Sequence, residues 1–503
     1  MTEKPLDAVK APSKVTQQRM PDVPGSFSQF DKHLYLPNTL YAPEGFTPEK
    51  LAKILPNVKT QEIWKVIYIL HAIEIQRNRN KRPKGAWSPL MAKILEAIIG
   101  RYKEVLDAMK KAQIIDCDEH YRVADRYSAG KSKYFRLNER YQHLTYRKTI
   151  SLPDQCKKKF RKQRLSPVHK HLQYWLERLE CADQAVDDMQ LQMIRDKDFR
   201  LSVDIFGNRV HTNLTSLNSD YRKFLRVNGE ELVAFDLRSS QLFFLLLLLF
   251  KYQKGLLVDS NKSTLINSLF SSSPLSHYDR PDPSEQPFED AETQALFALI
   301  AQGRIFEYLM ERTQEWEGSR SDFKQMFFQS TLFSKGVQGF KTSIAFDAKR
   351  IPNTFLKEFP SICKFINSFK EPDPTRLCSI LQRHESGFII HEVCEDLRVN
   401  FPEMPILTIH DCLITTLSKA DRLERILNFH LGRLLIQRPS VKKEVWKDGR
   451  KEETPFFALA LEKDAGLGRW NGSETVQDRS GSLEMTFGGF PVVKVGKARQ
   501  KRD

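Results

Sequence analysis

The sequence lacks paired cysteines and a long apolar segment. Its seven cysteines lie at positions 117, 156, 181, 363, 378, 394 and 412. They are widely spaced and never form Cys-x-x-Cys, which argues against a disulfide framework and a zinc site and favours a reducing compartment. The longest apolar run, Leu242 to Phe250, has nine residues, too few to span a bilayer as a helix. Since MTEKPLDAVKAPSK at the start has no apolar signal core, we expect no membrane association.

Acidic residues are outnumbered, with 63 Asp and Glu against 79 Lys and Arg and a formal charge of +16. Several cations are clustered, as in CKKKFRKQR at 156–164. Clustered positive charge indicates a polyanionic partner, and nucleic acid is the favoured one. A membrane surface, an acidic protein and a ribosomal or scaffold role remain open from composition alone.

The patterns divide the 503 residues into several regions, as expected for a chain longer than one core usually organises. We expect an α+β protein with a mainly helical N-terminal region, followed by an antiparallel sheet with helices. The expected segments are a flexible arm (1–45) that docks near FDKHLYLPNTLY, a helical, winged-helix-like region (46–150), a basic linker with connecting helices (151–200), a large α+β region (201–470) and a basic tail (471–503).

Part of the helical region has the pattern of a winged helix-turn-helix. A helix, a short turn and an amphipathic helix over about 101–112 precede two short β segments, 121–127 and 133–137, joined by SAGKS. In that module the second helix enters the major groove and the wing contacts the backbone. We therefore predict DNA contacts from Arg101, Lys103, Lys131 and Lys133. The alternative is a structural helical layer capped by a hairpin.

Two aspartates end strand-like segments in the second half. In EELVAFDLRSSQLFFLLLLLF an apolar strand ends at Asp236, and an apolar helix begins near Ser240. In PILTIHDCLITT a hairpin turns over His410 and Asp411. Rigid carboxylates on neighbouring strands can share two Mg²⁺ ions about 4 Å apart, as in-line displacement at phosphorus requires. Taken alone, each aspartate is better explained as a turn or capping residue.

A third segment, RSDFKQMFFQSTLF, lies between these two. Arg320, Lys324 and Phe328 are four residues apart, so a helix would place them on one face. Such a face can hold a triphosphate by charge while the ring supports the sugar or base. The alternative is an ordinary amphipathic helix with solvated cations.

These three segments resemble, in the same order, the three polymerase motifs of the family A DNA polymerases and single-subunit phage-type RNA polymerases. Upstream, GNRVHTNLTSL resembles the GR(I/V)H segment of that family, and DYRKFLRV resembles the arginine-rich approach to its first motif. The resemblance covers roughly residues 205–445. It implies a polymerase-like palm with helical fingers, two Mg²⁺ ions that Mn²⁺ can replace, a DNA template and primer, and nucleoside triphosphates.

The resemblance also implies roles for individual residues. Asp236 and Asp411 would bind the metals, and Arg320 with Lys324 would bind the triphosphate, Lys324 also protonating the leaving group. Phe328 and Gln241 would flank the nucleotide. Contacts to primer or template would come from His410, Arg209, His211, Gln382 and Glu385. For Gln382 and Glu385 a solvated helix face is the favoured alternative.

Three residues at two places depart from the family pattern. Gln241 stands where the DNA polymerases have a Glu that helps exclude ribose, and it is bulkier than the Gly of the phage-type RNA polymerases. We therefore expect deoxynucleotides to be favoured. Leu332 and Phe333 replace the Tyr-Gly at the end of the central helix. Because no acidic exonuclease signature precedes residue 200, we expect no proofreading.

The sequence thus predicts a template-directed nucleotidyltransferase that extends a primer 3′-hydroxyl. Its size suits the replication of a phage, plasmid or mobile element in the cytoplasm of a bacterial or phage-infected cell. The alternative is a DNA-binding replication initiator or regulator whose polymerase-like half is inactive. A basic structural protein of a phage or ribonucleoprotein particle is the third hypothesis.

Overall fold

A computed structural model describes residues 37, 39–79, 82–118, 133–154, 164–182, 187–253, 288, 290–313, 316–333, 345–370, 373, 375–434, 439–447 and 451–453. The chain divides into a compact unit of residues 1–456 and a second unit of residues 457–503, and all described residues belong to the first. Helices and antiparallel sheets make the protein α+β, as expected. Within the described ranges, no helix has the length and apolarity needed to cross a membrane.

The N-terminal region combines helices with two small antiparallel sheets. The helices are α1 (Pro48–Ile54), α2 (Ile63–Arg79), α3 (Ala92–Ile99) and α4 (Lys103–Lys111), with 3₁₀ turns at Thr60–Glu62 and Glu139–Tyr141. The strands are β1 (Thr39–Pro43), β2 (Ser88–Pro89), β3 (Ile115–Asp118), β4 (Tyr134–Leu137) and β5 (Tyr146–Ser151). One sheet pairs β1 with β5, and the other has the order β2-β4-β3. Apolar residues between Leu40 and Leu152 form the core of this region.

Strand β1 begins inside the segment that the sequence assigned to a flexible arm. All five residues of Thr39–Pro43 are buried, and Thr39 pairs with Ser151. The docking expected near FDKHLYLPNTLY therefore takes the form of a buried strand at residues 39–43. The partner strand lies more than a hundred residues away in sequence, so no local pattern reveals the pairing. Residues 1–36 lie outside the described ranges.

The segment expected to form a winged helix is described in part. Helix α4 falls within the predicted helix at 101–112, and β4 within the predicted strand at 133–137. Strand β3 pairs with β4 although the sequence did not predict it. The predicted strand at 121–127 and its SAGKS turn lie outside the described residues.

The remaining residues form a larger α+β assembly. Its helices are α5 (Pro167–Leu176), α6 (Met189–Arg195), α7 (Asn213–Ser216), α8 (Ser240–Gln253), α9 (Ala291–Ala301), α10 (Ile305–Arg312), α11 (Arg320–Phe327), α12 (Ala345–Glu358), α13 (Pro360–Lys370), α14 (Thr375–Ser386), α15 (Glu395–Asn400) and α16 (Ala420–Gly432). Helical turns also occur at Ser219–Phe224 and Leu417–Lys419, and π-helical segments at Phe328–Leu332 and Gly387–Cys394. The strands are β6 (Leu179–Cys181), β7 (Leu201–Val203), β8 (Val210–Thr212), β9 (Leu225–Val227), β10 (Glu230–Leu237), β11 (Leu407–Ile409), β12 (Cys412–Thr416), β13 (Val441–Val445) and β14 (Lys451–Glu453).

A central antiparallel sheet organises this assembly. Its strand order is β11-β12-β10-β13-β14, and β9 joins the start of β10 while also pairing with β6. The β9–β10 connection turns at Asn228 and Gly229, whose φ angles of 52° and 77° are both positive. Asn-Gly suits a two-residue hairpin turn of this kind, because both residues tolerate left-handed backbone. The turn fixes the register of β10, the strand that carries Asp236.

Helix α8 follows β10 directly and is almost entirely apolar. Every residue from Leu242 to Phe250 is buried in the large core that runs from Val168 to Trp446. A helix that is apolar on all sides needs protein contacts on all sides. Because α8 follows β10 directly, the burial of α8 also anchors the end of β10.

Candidate functional site

Asp236 lies in the middle strand of the central sheet. It is opposite Cys412 of β12 on one side and opposite Lys442 of β13 on the other. Three residues later the chain turns sharply into α8 at Ser239, a non-glycine residue with a φ of 52°. The predicted strand–acid–helix arrangement is therefore confirmed. Lys442 was not anticipated from the sequence, because its position opposite Asp236 depends on long-range strand pairing.

Asp411 lies in the tight turn between β11 and β12. Ile409 pairs with Cys412, so His410 and Asp411 form a two-residue turn, and His410 has a φ of 55°. The backbone N–H of Leu237 donates to the carbonyl oxygen of Asp411 over 3.4 Å. Since Cys412 is opposite Asp236, the adjacent Asp411 lies diagonally across from it. The structure thus brings the two predicted acids together, Asp236 in β10 and Asp411 in the turn before the neighbouring strand β12.

The two carboxyl groups influence each other electrostatically. Burial raises the pKa of Asp236, and the charge of Asp411 raises it further, to about 7. The cations of Lys324, Lys442 and Arg222 act in the opposite direction. A cation bound beside both acids would relieve the repulsion between them.

This donor set fits Mg²⁺ better than a metal held entirely by protein. Among the described residues, no three His, Cys, Asp or Glu side chains are arranged to hold a metal ion. Mg²⁺ commonly uses one or two carboxylates and completes its coordination with waters and substrate phosphates. Asp236 and Asp411 provide such a pair, at a place where excess negative charge is already unfavourable.

Helix α11 carries the two cations predicted to bind a triphosphate. It begins with a capping box in which Ser319 and Asp322 bond to each other's backbone N–H groups. Arg320 and Lys324 both lie over the ring of Phe306, at 5.5 Å and 5.9 Å from its centre. They therefore share one helix face, as predicted.

The two cations differ in their surroundings. Lys324 is exposed, and its charge lowers the pKa of Asp236. Arg320 forms an ion pair with Glu307, and the two side chains are 43% and 38% exposed. Ion pairs this exposed contribute little and exchange readily with other charged groups. Arg320 is therefore accessible to an anionic ligand.

Phe328 marks the point where α11 changes into a π-helical segment. Its half-buried ring stacks on Phe333, with 5.5 Å between the ring centres and 22° between the planes. It also contacts Phe306 and Phe327. One side of the ring predicted to flank a nucleotide is thus covered by Phe333, which stands near the place of the family's Tyr-Gly.

Arg209 and His211 are positioned by the β7–β8 hairpin. Asp204 accepts hydrogen bonds from the backbone N–H groups of Gly207 and Arg209, at 2.5 Å and 3.2 Å. Its carboxylate also bonds Nε2 of His211 at 2.9 Å. The His211 ring packs edge-on against His410, with 5.5 Å between the ring centres. The GNRVH segment is therefore adjacent to the Asp411 turn.

Helix α14 packs against the same hairpin loop. Ser379 and Ser386 donate to the carbonyl oxygens of Phe206 and Gly207, each over 2.6 Å. At Gly207 an added Cβ would lie 2.8 Å from the Cβ of Gln382, so the loop approaches the helix too closely for a side chain at this position. Gln382 is half-buried, and its amide donates to the Cys378 sulfur over 3.1 Å.

Glu385 does not lie on a solvated face, and it does not face a template. Its side chain is only 1% exposed, because it projects from α14 into the interior. Arg209 donates to its Oε1 from both Nε, over 3.0 Å, and Nη2. Both the solvated face and the direct nucleic-acid contact predicted for Glu385 are therefore wrong.

Ser240 connects Glu385 to Asp411. Its hydroxyl lies 2.6 Å from Oδ2 of Asp411 and 2.8 Å from Oε2 of Glu385. A hydroxyl has one proton, so both contacts are hydrogen bonds only when one carboxyl group is protonated. Burial, followed by the charge of Asp411, raises the pKa of Glu385 to about 7, which is consistent with a shared proton. From the sequence, Ser240 was predicted only to begin a helix.

Gln241, the next residue, is half-buried. Its amide oxygen is buried and has no hydrogen-bond partner among the described residues. A buried amide oxygen without a partner carries a desolvation cost that a ligand donor can remove. Gln241 therefore offers an unsatisfied acceptor one residue after Ser240, which contacts Asp411.

The residues predicted to bind DNA are described in part. Arg101 and Lys103 are exposed at the start of α4, and Lys133 is half-buried just before β4. Lys131 lies outside the described residues.

Comparisons with known proteins add little to this geometry. No protein-family model matches the chain, and no curated protein matches it. Among solved structures, the chain is similar to the POL domain of Pol1 from M. smegmatis in complex with DNA primer-template and dNTP. Sequence identity is 14%, the TM-score is 0.26, and the match covers 50% of this chain and 48% of that chain. The chain thus spans about half the length of that domain, and a TM-score at this level carries no argument.

Proposed function

We propose that this protein is a DNA-directed nucleotidyltransferase that extends a primer with deoxynucleotides. The observation that carries the proposal is the proximity of Asp236, in β10, to Asp411, in the turn that leads into the adjacent strand β12, with the charge of Lys324 within electrostatic reach. Carboxylate pairs facing a cationic helix suit phosphoryl transfer, because that chemistry consists mainly of positioning and charge stabilisation.

Each group has a role in this proposal. Asp236 and Asp411 would hold two Mg²⁺ ions, and these would supply activation of the primer hydroxyl and neutralisation of the pyrophosphate. Lys324 and Arg320 bind the triphosphate, and Nζ of Lys324 provides a proton to the departing pyrophosphate. His410, next to Asp411 and packed on His211, lies at the primer terminus.

The choice of sugar is assigned to Gln241. Its unpartnered amide oxygen and its bulk are placed beside Ser240, at the start of the helix that follows Asp236. We propose that the side chain restricts the space at the sugar, so that dNTPs are preferred over NTPs.

The N-terminal region is proposed to recruit the enzyme to DNA. Helices α2, α3 and α4 with the sheet β2-β4-β3 have the element order of a winged helix, in which α4 is the groove-binding helix. Arg101 and Lys103 are exposed at the start of that helix. Recruitment to DNA by this region also fits a replication protein of a phage, plasmid or mobile element.

Primer extension tests the proposal. Full-length protein is incubated with a labelled primer–template, Mg²⁺ or Mn²⁺, and either dNTPs or NTPs. We expect extension with dNTPs that falls at least about 10³-fold in Asp236→Ala and Asp411→Ala, because each removes a metal ligand. Asp421→Ala is the matched control, since that side chain is 89% exposed on α16.

A second candidate is a DNA-binding initiator or regulator with an inactive polymerase-like half. The Phe328–Phe333 stack favours it, because the ring that would support a nucleotide already has a partner. This candidate predicts duplex binding without incorporation of any nucleotide. Extension that depends on Asp236 and Asp411 excludes it.

A further inference from the structure

We propose that Ser240, Glu385 and Arg209 form a positioning chain that fixes the Asp411 carboxylate in a metal-binding orientation, an inference that rests on the proposed function. In this inference none of the three needs to contact metal or substrate. They act through Asp411.

The first link joins Ser240 to Asp411. The Ser240 side chain sits at the start of α8 and the residue is 5% exposed, so packing restricts its movement. Its Oγ lies 2.6 Å from Oδ2 of Asp411, which leaves Oδ1 as the carboxylate oxygen without this contact. A tight turn such as His410–Asp411 does not by itself fix the orientation of its side chains. The hydrogen bond from a buried helix does.

The second link joins Ser240 to Glu385 over 2.8 Å. Glu385 comes from α14, an element 145 residues further along the chain, and its side chain is almost fully buried. A buried carboxylate is unfavourable unless it is paired and hydrogen-bonded. Core packing does not explain why an acid is buried here. We infer that Glu385 is retained because it orients the hydroxyl of Ser240.

The third link joins Glu385 to Arg209. Arg209 donates twice to Oε1, the oxygen opposite the one that contacts Ser240. The backbone of Arg209 is held in turn by Asp204. Each oxygen of Glu385 therefore has a different partner, and the chain runs without a break from the β7–β8 hairpin to the turn that carries Asp411.

Groups that hydrogen-bond to metal ligands set the orientation of those ligands. Their removal typically weakens metal affinity or activity about 10–100-fold. The alternative is that the chain only stabilises the fold, in which case metal affinity would not depend on the Ser240 hydroxyl. Metal binding can be measured without catalysis, so the two explanations can be distinguished.

The experiment measures Mn²⁺ binding to the metal-free full-length protein by electron paramagnetic resonance. We expect Ser240→Ala to raise the Mn²⁺ Kd about 10-fold or more, since Asp411 loses its 2.6 Å partner. Ser379→Ala is the matched control, because it removes a buried hydroxyl with a 2.6 Å bond to a carbonyl and no carboxylate partner. Its Kd should equal that of the wild type. Circular dichroism checks that both variants fold.

Two variants of Glu385 extend the test. In Glu385→Gln the amide can still accept from Arg209 and donate to Ser240, so we expect a Kd within about threefold of the wild type. Glu385→Ala removes the hydrogen-bonded link between Arg209 and Ser240. We therefore expect Mn²⁺ affinity to fall about as much as in Ser240→Ala.

The inference is overturned if Ser240→Ala binds Mn²⁺ like the wild type, or if Ser379→Ala weakens binding equally. It is also overturned if the wild type binds no Mn²⁺. Failure of the proposed function gives a different result, namely a wild type that binds Mn²⁺ through Asp236 and Asp411 but extends no primer. In that case the positioning chain still accounts for the binding data.

Discussion

Nearby cations oppose the effects of burial and of the Asp411 charge on the Asp236 carboxyl. Removal from water and the charge of Asp411 raise its pKa to about 7, whereas Lys324, Lys442 and Arg222 lower it. Strand pairing fixes Lys442 directly opposite the acid, so one of these cations is a permanent part of the site. Without a metal the acidic pair is therefore electrostatically unfavourable at neutral pH, a common property of sites that bind cations.

This imbalance predicts a pH-dependent stability for the metal-free protein. Because the folded-state pKa of Asp236 is raised from 3.8 to about 7, its contribution to the free energy of unfolding is fully present below about pH 4 and is lost as the pH rises from about 4 to about 7. Asp236→Asn has no such group. In EDTA we therefore expect this variant to gain stability relative to the wild type across that pH range, reaching a difference of roughly 4 kcal/mol at most above pH 7.

Urea unfolding from pH 5 to pH 8 measures the difference. Asp421→Asn, on an exposed helix position, should track the wild type at every pH. Adding Mg²⁺ at pH 8 should stabilise the wild type but not Asp236→Asn, because only a ligand that binds the folded state raises stability. A stability difference that stays constant with pH contradicts the prediction.

Residue-scale prediction from the sequence succeeded where the signal was local. Asp236 ends an apolar strand and Asp411 lies in a two-residue turn, and both features can be read from neighbouring residues. Ser240 and Glu385 are 145 positions apart, and Arg209 and Glu385 are 176 apart. Their contacts depend on how helix α14 packs, so the neighbouring residues in the sequence did not reveal that Glu385 is buried.

At the scale of elements, helix α11 shows both the strength and the limit of periodicity. Four-residue spacing correctly placed Arg320 and Lys324 on one face, above Phe306. The spacing did not reveal that regular α-helix ends at Phe327 and continues as a π-helical segment. Nor did it reveal the Phe333 stack, which depends on the chain turning back at the end of that segment.

The position of α11 predicts a specific defect in Lys324→Met. Loss of one charged contact to a triphosphate costs about 1.5–3 kcal/mol, so we expect the KM for dNTP to rise about 10–100-fold. The same change removes a cation that lowers the pKa of Asp236. The acid limb of the pH–rate profile should therefore move to higher pH.

Steady-state primer extension at several pH values measures both effects. Lys357→Met is the matched control, because Lys357 is also an exposed helical lysine but does not influence Asp236. It should change neither the KM nor the pH profile. If Lys324→Met raises the KM but leaves the acid limb of the pH–rate profile unchanged, Lys324 contributes to nucleotide binding, and its predicted effect on the pKa of Asp236 is contradicted.

At the scale of the molecule, positive charge is combined with two large apolar cores in the part of the chain that the structure describes. One core lies between Leu40 and Leu152 and includes α4, and the other runs from Val168 to Trp446 and surrounds the central sheet. The net charge of +16 suggested a nucleic-acid partner from composition alone, but not where it binds. The exposed start of α4, the candidate DNA-binding surface, lies in the region of the first core, and the pair Asp236 and Asp411 lies in the region of the second.

The surface at the start of α4 predicts how binding responds to salt. Each phosphate contact that is lost reduces the slope of log K against log salt by about 0.9, because fewer counterions are released. Replacing both Arg101 and Lys103 with Ala should therefore weaken duplex binding and flatten the slope by about 2. Replacing Lys50 and Lys53, two exposed lysines of α1, with Ala removes the same charge away from α4 and should leave the slope nearly unchanged.

Fluorescence anisotropy with duplex DNA at several salt concentrations measures both slopes. Equal slopes for the two double variants would mean that the duplex responds to total charge rather than to this helix.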